Sequence, residues 1–480
     1  MKSFRSTRAF LVLAVMAALT FSIDASAEKK NKAKKPLKYN EQGEIIKTGL
    51  NFGPIPAVAF DADKGFQLGA LLNIYDFGNG STYPNPRQQW NFEASFFTKG
   101  SQLYTVAYDN NFSIPGVRMS SALNISNDKA MDFYGFNGYQ SFYDHEKITA
   151  GKKGDSYLYS PFYKVERLSL LLKCDFKGNL WEDKLSWFAG YNFRYFNQSP
   201  INRSKINKGK KEEQMFPDEL PTLYEQYIDW GIIPENEVGK SFSSAIRLGL
   251  EFDTRDKEGA PTRGVWISAL TTLAPKFLGS TVPYYKYTAT FRHYVPIVKN
   301  DVLTFAYRLN YDGTFGNYAP HYILPFINCM GVSFDKDGMG GYRSVRGLIR
   351  NRVVGLDMAS YNMELRWRFV NFKLWKQNIA FGLNAFSDGT MVTRPFDISF
   401  QKEVPTDPSQ MEQYALSKAA YDAYRSNGQQ KELPHITVGA GFRFIMNQNF
   451  IICLEYGLPV GKLRHQDGGG AFYINTGYLF

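Results

Sequence analysis

Residues 358–370 read MASYNMELRWRFV, and this stretch decides the fold. Tyr361, Met363, Leu365, Trp367 and Phe369 fall on one side of it, and Asn362, Glu364, Arg366 and Arg368 on the other. Side chains alternate with period two along a strand, so this segment is a strand with one apolar and one charged face. SSAIRLGLEFDT (243–254) repeats the pattern, setting Ile246, Leu248, Leu250 and Phe252 against Arg247, Glu251 and Asp253. LTFAYRLNY (303–311) and HITVGAGFRF (435–444) do the same. A dry core does not accommodate Arg and Glu this often. A water-filled or plugged lumen does, and apolar-out, polar-in alternation is the pattern of a transmembrane β-barrel.

Working outward, the expected strands are 49–60, 66–76, 89–99, 102–112, 118–126, 162–177, 184–198, 241–254, 264–274, 283–294, 302–312, 358–370, 376–388, 435–447, 449–458 and 471–480. That predicts an all-β fold, a 16-stranded antiparallel transmembrane β-barrel with long extracellular loops. The connections test the count, because such barrels have short periplasmic turns and long outer loops. With a periplasmic N-terminus, odd-numbered connections face outward. The four longest, 127–161, 199–240, 313–357 and 389–434, are all odd-numbered.

Composition agrees. The chain has 480 residues, of which 16% are aromatic and 21% charged, with a formal net charge of +11. So low a charged fraction argues against a disordered or coiled-coil chain. No apolar run after residue 27 is long enough for a membrane-spanning helix. At the N-terminus, Lys2, Arg5 and Arg8 precede the apolar run Ala9–Phe21, and Ala25-Ser26-Ala27 supplies small residues for cleavage. Residues 1–27 therefore read as a signal peptide, 28–48 as a short basic periplasmic arm and 49–480 as the barrel. The expected location is the bacterial outer membrane of a Gram-negative cell, with the outer surface of the wall against lipid.

Three stretches carry a family resemblance. They are LEFDTRDKEGAPTRGVWISA (250–269), GMGGYRSVRGLIRNRVVG (338–355) with the NMELR (362–366) that follows it, and the C-terminal run from AFSDGTMV through GAGFRF and CLEYGLPVG to FYINTGYLF. In this order they resemble the barrel of the BamA/TamA superfamily of outer-membrane assembly factors, also called bacterial surface antigens. The resemblance is strongest over 240–480. It implies that the eleventh connection folds back into the barrel and sets a VRG motif, here Val345-Arg346-Gly347-Leu348, against the inner wall. It further implies that Arg346 pairs with acidic groups on neighbouring strands, here Glu364 and the Asp388 of a Phe386-containing motif. Leu348 stands where the family has an aromatic, and Thr390 where it has Gly. The alternation independently aims Glu364 and Asp388 into the lumen, where a guanidinium fork can bond carboxylates as Lys cannot. Tyr478 and Phe480 resemble the terminal aromatic signal for membrane insertion, with Asn475 where that signal usually has Gly. The family's periplasmic POTRA modules have no counterpart between the expected cleavage site and the first strand, so the chain resembles a POTRA-less member.

No enzyme is expected: HExxH, GxSxG, Walker and CxxC patterns are all missing from the sequence. Cys174, Cys329 and Cys453 are odd in number and far apart, and His145, His293, His321, His435 and His465 stand alone. Neither a metal nor a cofactor is expected, and no nucleic-acid partner. Lumen-facing Arg247, Arg292, Arg308, Arg366, Arg368 and Arg443 could attract anions, or be neutralised by Glu251, Asp253 and Glu455 under a folded-in loop. Two functions remain. One is insertion or translocation of outer-membrane molecules, beside periplasmic or outer-membrane assembly subunits and client proteins. The other is a passive channel, receptor or surface scaffold. Gly49, Gly53, Pro54 and Pro56 in the first strand predict a weak first-to-last seam, which favours the former.

Overall fold

The computed structural model describes residues 38–39, 45–61, 65–98, 100–141, 143, 160–212, 215–216, 218, 221–298, 301–331, 336–375, 377–398, 432–447 and 450–480. The expected signal peptide, 1–27, and most of the expected 28–48 arm lie outside the described residues, as does His145.

Sixteen strands form one sheet in which every neighbour in space is the neighbour in sequence. They are β1 (Leu50–Asp61), β2 (Gly65–Asp76), β3 (Gln88–Phe97), β4 (Gln102–Ile114), β5 (Val117–Asp132), β6 (Lys164–Trp181), β7 (Leu185–Pro200) and β8 (Gly239–Asp253), followed by β9 (Gly264–Ala274), β10 (Tyr284–Val298), β11 (Leu303–Thr314), β12 (Asp357–Leu374), β13 (Gln377–Arg394), β14 (His435–Met446), β15 (Phe450–Val460) and β16 (Ala471–Thr476). All fifteen pairings along this order are antiparallel.

The alternation read from the sequence is the inside and outside of this wall. Along β12, Asn362, Glu364 and Arg366 are buried while Met363, Leu365 and Trp367 are exposed. Along β8, Arg247 and Glu251 are buried while Ile246, Leu248 and Leu250 are exposed. No helix among the described residues is long and apolar enough to cross a membrane, and the exposed apolar faces of the strands make the crossing surface instead.

Two ends of the wall differ. Turns such as 115–116 and 182–184 close one end; connections 133–163, 201–238, 315–356 and 395–434 leave from the other. Described parts of these long connections share one apolar cluster. Phe133, Phe136, Tyr163, Tyr224, Tyr227, Trp230, Tyr322, Phe326 and Phe396 all belong to it. Phe133 meets Tyr224 and Tyr227 edge to face at 5.5 Å each, the geometry that ring quadrupoles favour. A short helix, α1 (Leu223–Asp229), enters this cluster. Its first turn is fixed by a capping box between Thr222 and Glu225.

Backbone pairing does not close the circle. The ladder runs from β1 to β16, and these two edges share no ladder among the described residues. Pro54 and Pro56 remove two N–H donors from β1, and Gly53 supplies no side chain to pack. At the same end as the short turns, other contacts reach across. Ile45 exchanges hydrogen bonds with the Asn378 side chain at 3.0 and 3.3 Å, and Lys47 donates to Gln377 at 2.8 Å.

The strand expected over 471–480 is shorter than that reading. It stops at Thr476, Gly477 takes φ of +80°, and the remaining residues turn into the lumen. Phe480 packs there, 5% exposed, with Tyr294 and Ala306.

Candidate functional site

The eleventh connection runs down inside the wall. Met339 and Val353 bridge across its neck, and between them the VRG segment reaches the inner faces of β12 to β16. Arg346 is fully buried. Its Nε and Nη2 donate to the two Asp388 oxygens at 2.8 and 3.0 Å, and its backbone N–H donates to the same carboxylate at 3.0 Å. Its Nη1 donates to Glu455 at 2.8 Å and, in a short contact, to Glu364. The Phe386 ring lies under the guanidinium, 3.7 Å from centroid to carbon. The structure thus brings together four residues singled out in the sequence: Arg346, Glu364, Asp388 and Phe386.

Their surroundings complete the electrostatics. Arg443 donates to Glu364 at 3.0 Å and to Glu455 at 3.1 Å, and Arg366 donates to Glu364 at 2.7 Å. Three guanidiniums therefore face three carboxylates. Burying ions is costly unless each is paired and its remaining positions are hydrogen-bonded; here every charge is paired, while Arg366 Nη1 and Arg443 Nε and Nη1 are buried without an acceptor among the described residues. Asn384 and Asn475 donate to the two Glu455 oxygens at 3.0 and 3.2 Å. Asn475, the departure from the terminal signal, is thus a lumen residue with a polar partner.

Backbone geometry sets how close the loop comes. Gly347 has φ of +95°, and a Cβ on it would lie 2.8 Å from the Leu458 nitrogen. A Cβ on Gly457 of β15 would lie 3.0 Å from the Gly347 nitrogen. Only two glycines permit this contact between chain and wall. The Gly347 N–H donates to the Tyr473 hydroxyl at 2.9 Å. Val345 and Leu348 enter a fully buried cluster with Ile327, Met339, Val353, Met358 and Val392. An aliphatic side chain fills the position that the resemblance gave to an aromatic.

Sequence reasoning missed several residues that hold the same connection. Arg350 donates to Asp128 at 3.0 Å. Arg352 donates to the Gln466 carbonyl at 2.8 Å, the Gly138 carbonyl at 2.9 Å and Ser141 at 2.8 Å. Lys286 donates to the Phe326 carbonyl at 3.1 Å, and Arg247 donates to the Cys329 carbonyl. Arg350 and Arg352 stood in the quoted motif, yet nothing in a linear chain pairs them with residues 114 to 222 positions away. Two expected pairings also differ. Glu251 binds Lys177 at 2.7 Å and Asp253 binds Arg255 at 2.7 Å, because their strand positions lie towards the short-turn end, away from the loop.

The scattered histidines are not all isolated. At the outer end of β14, His435 Nδ1 lies 2.7 Å from Asp467, the Tyr139 hydroxyl donates to Asp467 at 2.6 Å, and the His435 and Tyr139 rings stack at 3.7 Å. Burial alone would raise the Asp467 carboxyl. The His435 hydrogen bond and charge, with Arg352 and Tyr139, outweigh it and hold the group below its ordinary value.

A sixteen-stranded antiparallel wall, apolar outside and charged within, is the architecture of a β-barrel of the bacterial outer membrane. Residues 87–480 match the Omp85 superfamily domain, and the chain belongs to that superfamily, in keeping with the BamA/TamA resemblance of its motifs. No curated protein matches the chain. Among solved structures it is similar to BamA from Haemophilus ducreyi lacking POTRA domains 1–3, at 14% identity and a TM-score of 0.50, covering 90% of this chain and 70% of that one. It is also similar to CdiB from Escherichia coli, at 10% identity and a TM-score of 0.46 over 86% of this chain and 60% of that one.

Proposed function

We propose that this barrel inserts or translocates outer-membrane molecules, and that its folded-in eleventh connection is latched by Arg346 while it does so. The family supports the general class. The observation that carries the particular reading is the pairing gap between β1 and β16. Open strand edges are templates for another strand, and in a bilayer the unpaired backbone groups there need partners. An incoming strand would supply them. The carboxylates of Glu364, Asp388 and Glu455 and the ring of Phe386 keep the loop against the wall, so the lumen stays filled while the seam opens. Periplasmic or outer-membrane subunits that deliver clients are the partners this reading calls for.

The alternative is a passive receptor or surface scaffold, favoured by the aromatic cluster that unites the long outer connections. Reconstitution separates the two. Purified protein in liposomes should speed the protease-protected folding of a urea-unfolded outer-membrane barrel. A rate equal to that of empty liposomes, with and without periplasmic extract, would favour the passive role.

A further inference from the structure

Towards the short-turn end from Arg346, the inner wall leaves a gap among arginines. Arg368 of β12, Gly382 of β13 and Arg443 of β14 are direct cross-strand neighbours, and Arg366 stands two residues before Arg368 on the same face. Gly382 places no side chain in the middle of this row. The Arg368 and Arg443 stems therefore stand two strand spacings, about 10 Å, apart with nothing from β13 between them. Like charges on neighbouring strands repel, and the protein leaves several of their donors unused. Arg366 Nη1 and Arg443 Nε and Nη1 are buried without an acceptor among the described residues. The Arg368 guanidinium meets the Asp301 carboxylate only at 3.8 Å, beyond hydrogen-bond range. A small cleft opens at this point, lined by the three arginines with Thr262, Thr304 and Asp301.

The carboxylates nearby are already engaged. Glu364 accepts from Arg346, Arg366 and Arg443. Asp301 accepts from Lys257 at 2.7 Å and from the Thr262 hydroxyl at 2.8 Å. Lys257 and Thr262 belong to the β8–β9 turn, in the 250–269 stretch singled out in the sequence. Ala260 of that turn packs against Ala380 and Ile445 on the inner wall, which holds the turn beside the cleft. The Tyr478 ring lies 4.3 Å from the Arg366 and Arg443 carbons, and a ring attracts a guanidinium without supplying an acceptor in its plane. What the unused donors lack is an anion with several oxygens, and guanidinium forks match phosphate in this way. We propose that the cleft binds a phosphate group, gripped by Arg368 and Arg443 from the two sides of Gly382 and by Arg366 next to them. The site lies towards the short-turn end, where Arg368 and Asp301 keep 11% and 24% of their side chains exposed, so a ligand reaches it from that mouth. Free phosphate and a phospholipid headgroup carry the same group, and the three arginines read that group. A bound phosphate bridges β12 and β14 beside Glu364, and so braces the wall against which Arg346 is held.

The test uses the full chain in detergent and calorimetric titration with two probes, inorganic phosphate and the short-chain lipid dihexanoyl phosphatidic acid. Saturable binding of inorganic phosphate supports the site and assigns it to the free ion; saturable binding of the lipid alone supports it and assigns it to a headgroup. Arg368→Gln removes one charge-assisted contact and should weaken the binding by about ten-fold or more. Lys184→Gln, on an exposed turn elsewhere at the same end, should leave it unchanged. No saturable binding of either probe overturns the proposal, as does binding that Arg368→Gln leaves at wild-type strength. A second measurement needs no variant to fold. Phenylglyoxal labelling of the native chain, mapped by mass spectrometry, should slow at Arg368 when the probe is bound and stay unchanged at the exposed Arg263. Labelling of Arg368 at one rate with and without saturating probe also overturns the site.

Discussion

Arg346 is one guanidinium answering three carboxylates on three strands. Removing one member of a buried ion group leaves the others uncompensated, at a cost of about 3–5 kcal/mol. Arg346→Ala should therefore lower the temperature at which the folded gel band converts to the unfolded one. Arg346→Lys should fall between the two, since one ammonium cannot bond all three acceptors with fixed geometry. If both variants convert at the wild-type temperature, the latch contributes nothing to stability. Asp467 makes a prediction in pH. Its folded pKa is depressed, so its contribution is complete above the unfolded value of about 3.9 and is lost as pH falls through the lower, folded one. The protection of amides around Tyr139 and Asp467, with the intrinsic pH dependence of exchange divided out, should thus hold down to about pH 5 and fall only below about pH 4. Loosening near pH 6 would instead assign the control to a histidine.

At the scale of elements, the eleventh connection is fixed at two depths. Arg346 grips the wall, while Arg350 and Arg352 grip β5 and the outer loops. Arg350→Ala with Arg352→Ala should expose a new protease site within 336–356 from the outer side, with the strands still protected. A digestion pattern identical to wild type would mean that Arg346 and the apolar cluster around Leu348 suffice. Strand boundaries show where reading a sequence succeeds. β9 coincides with its expected span, 264–274. β5 runs on to Asp132 where 126 was expected, because Asp128 and Asp132 meet Arg350 and Lys164 above the apolar band. Outside that band there is no lipid to enforce alternation, so the signal fades while the strand continues.

For the whole molecule the decisive feature is the seam. Interior strands have a partner on each side, whereas among the described residues β1 and β16 have one. Amides of 50–61 and 471–476 should exchange markedly faster than those of β8 to β13, as measured by hydrogen exchange in detergent or nanodiscs. Equal protection would mean that the edges pair in the membrane and would remove the argument for lateral opening.

The sequence by itself determined the wall. Its period-two alternation, the number of strands and the placement of the long connections all follow from a local rule, since each residue faces either lipid or lumen. It also placed Glu364 and Asp388 on the inward side of their strands, because face is set by parity. Only the tertiary structure decided which charges meet. Glu455, Arg443 and Asn475 gather beside Arg346, and Arg350 and Arg352 find their acceptors, through the curvature of a wall that brings distant strands together. It decided too that Tyr478 and Phe480 turn inward, since a strand pattern continues to read as alternation whether or not its last residues find a neighbour to pair with.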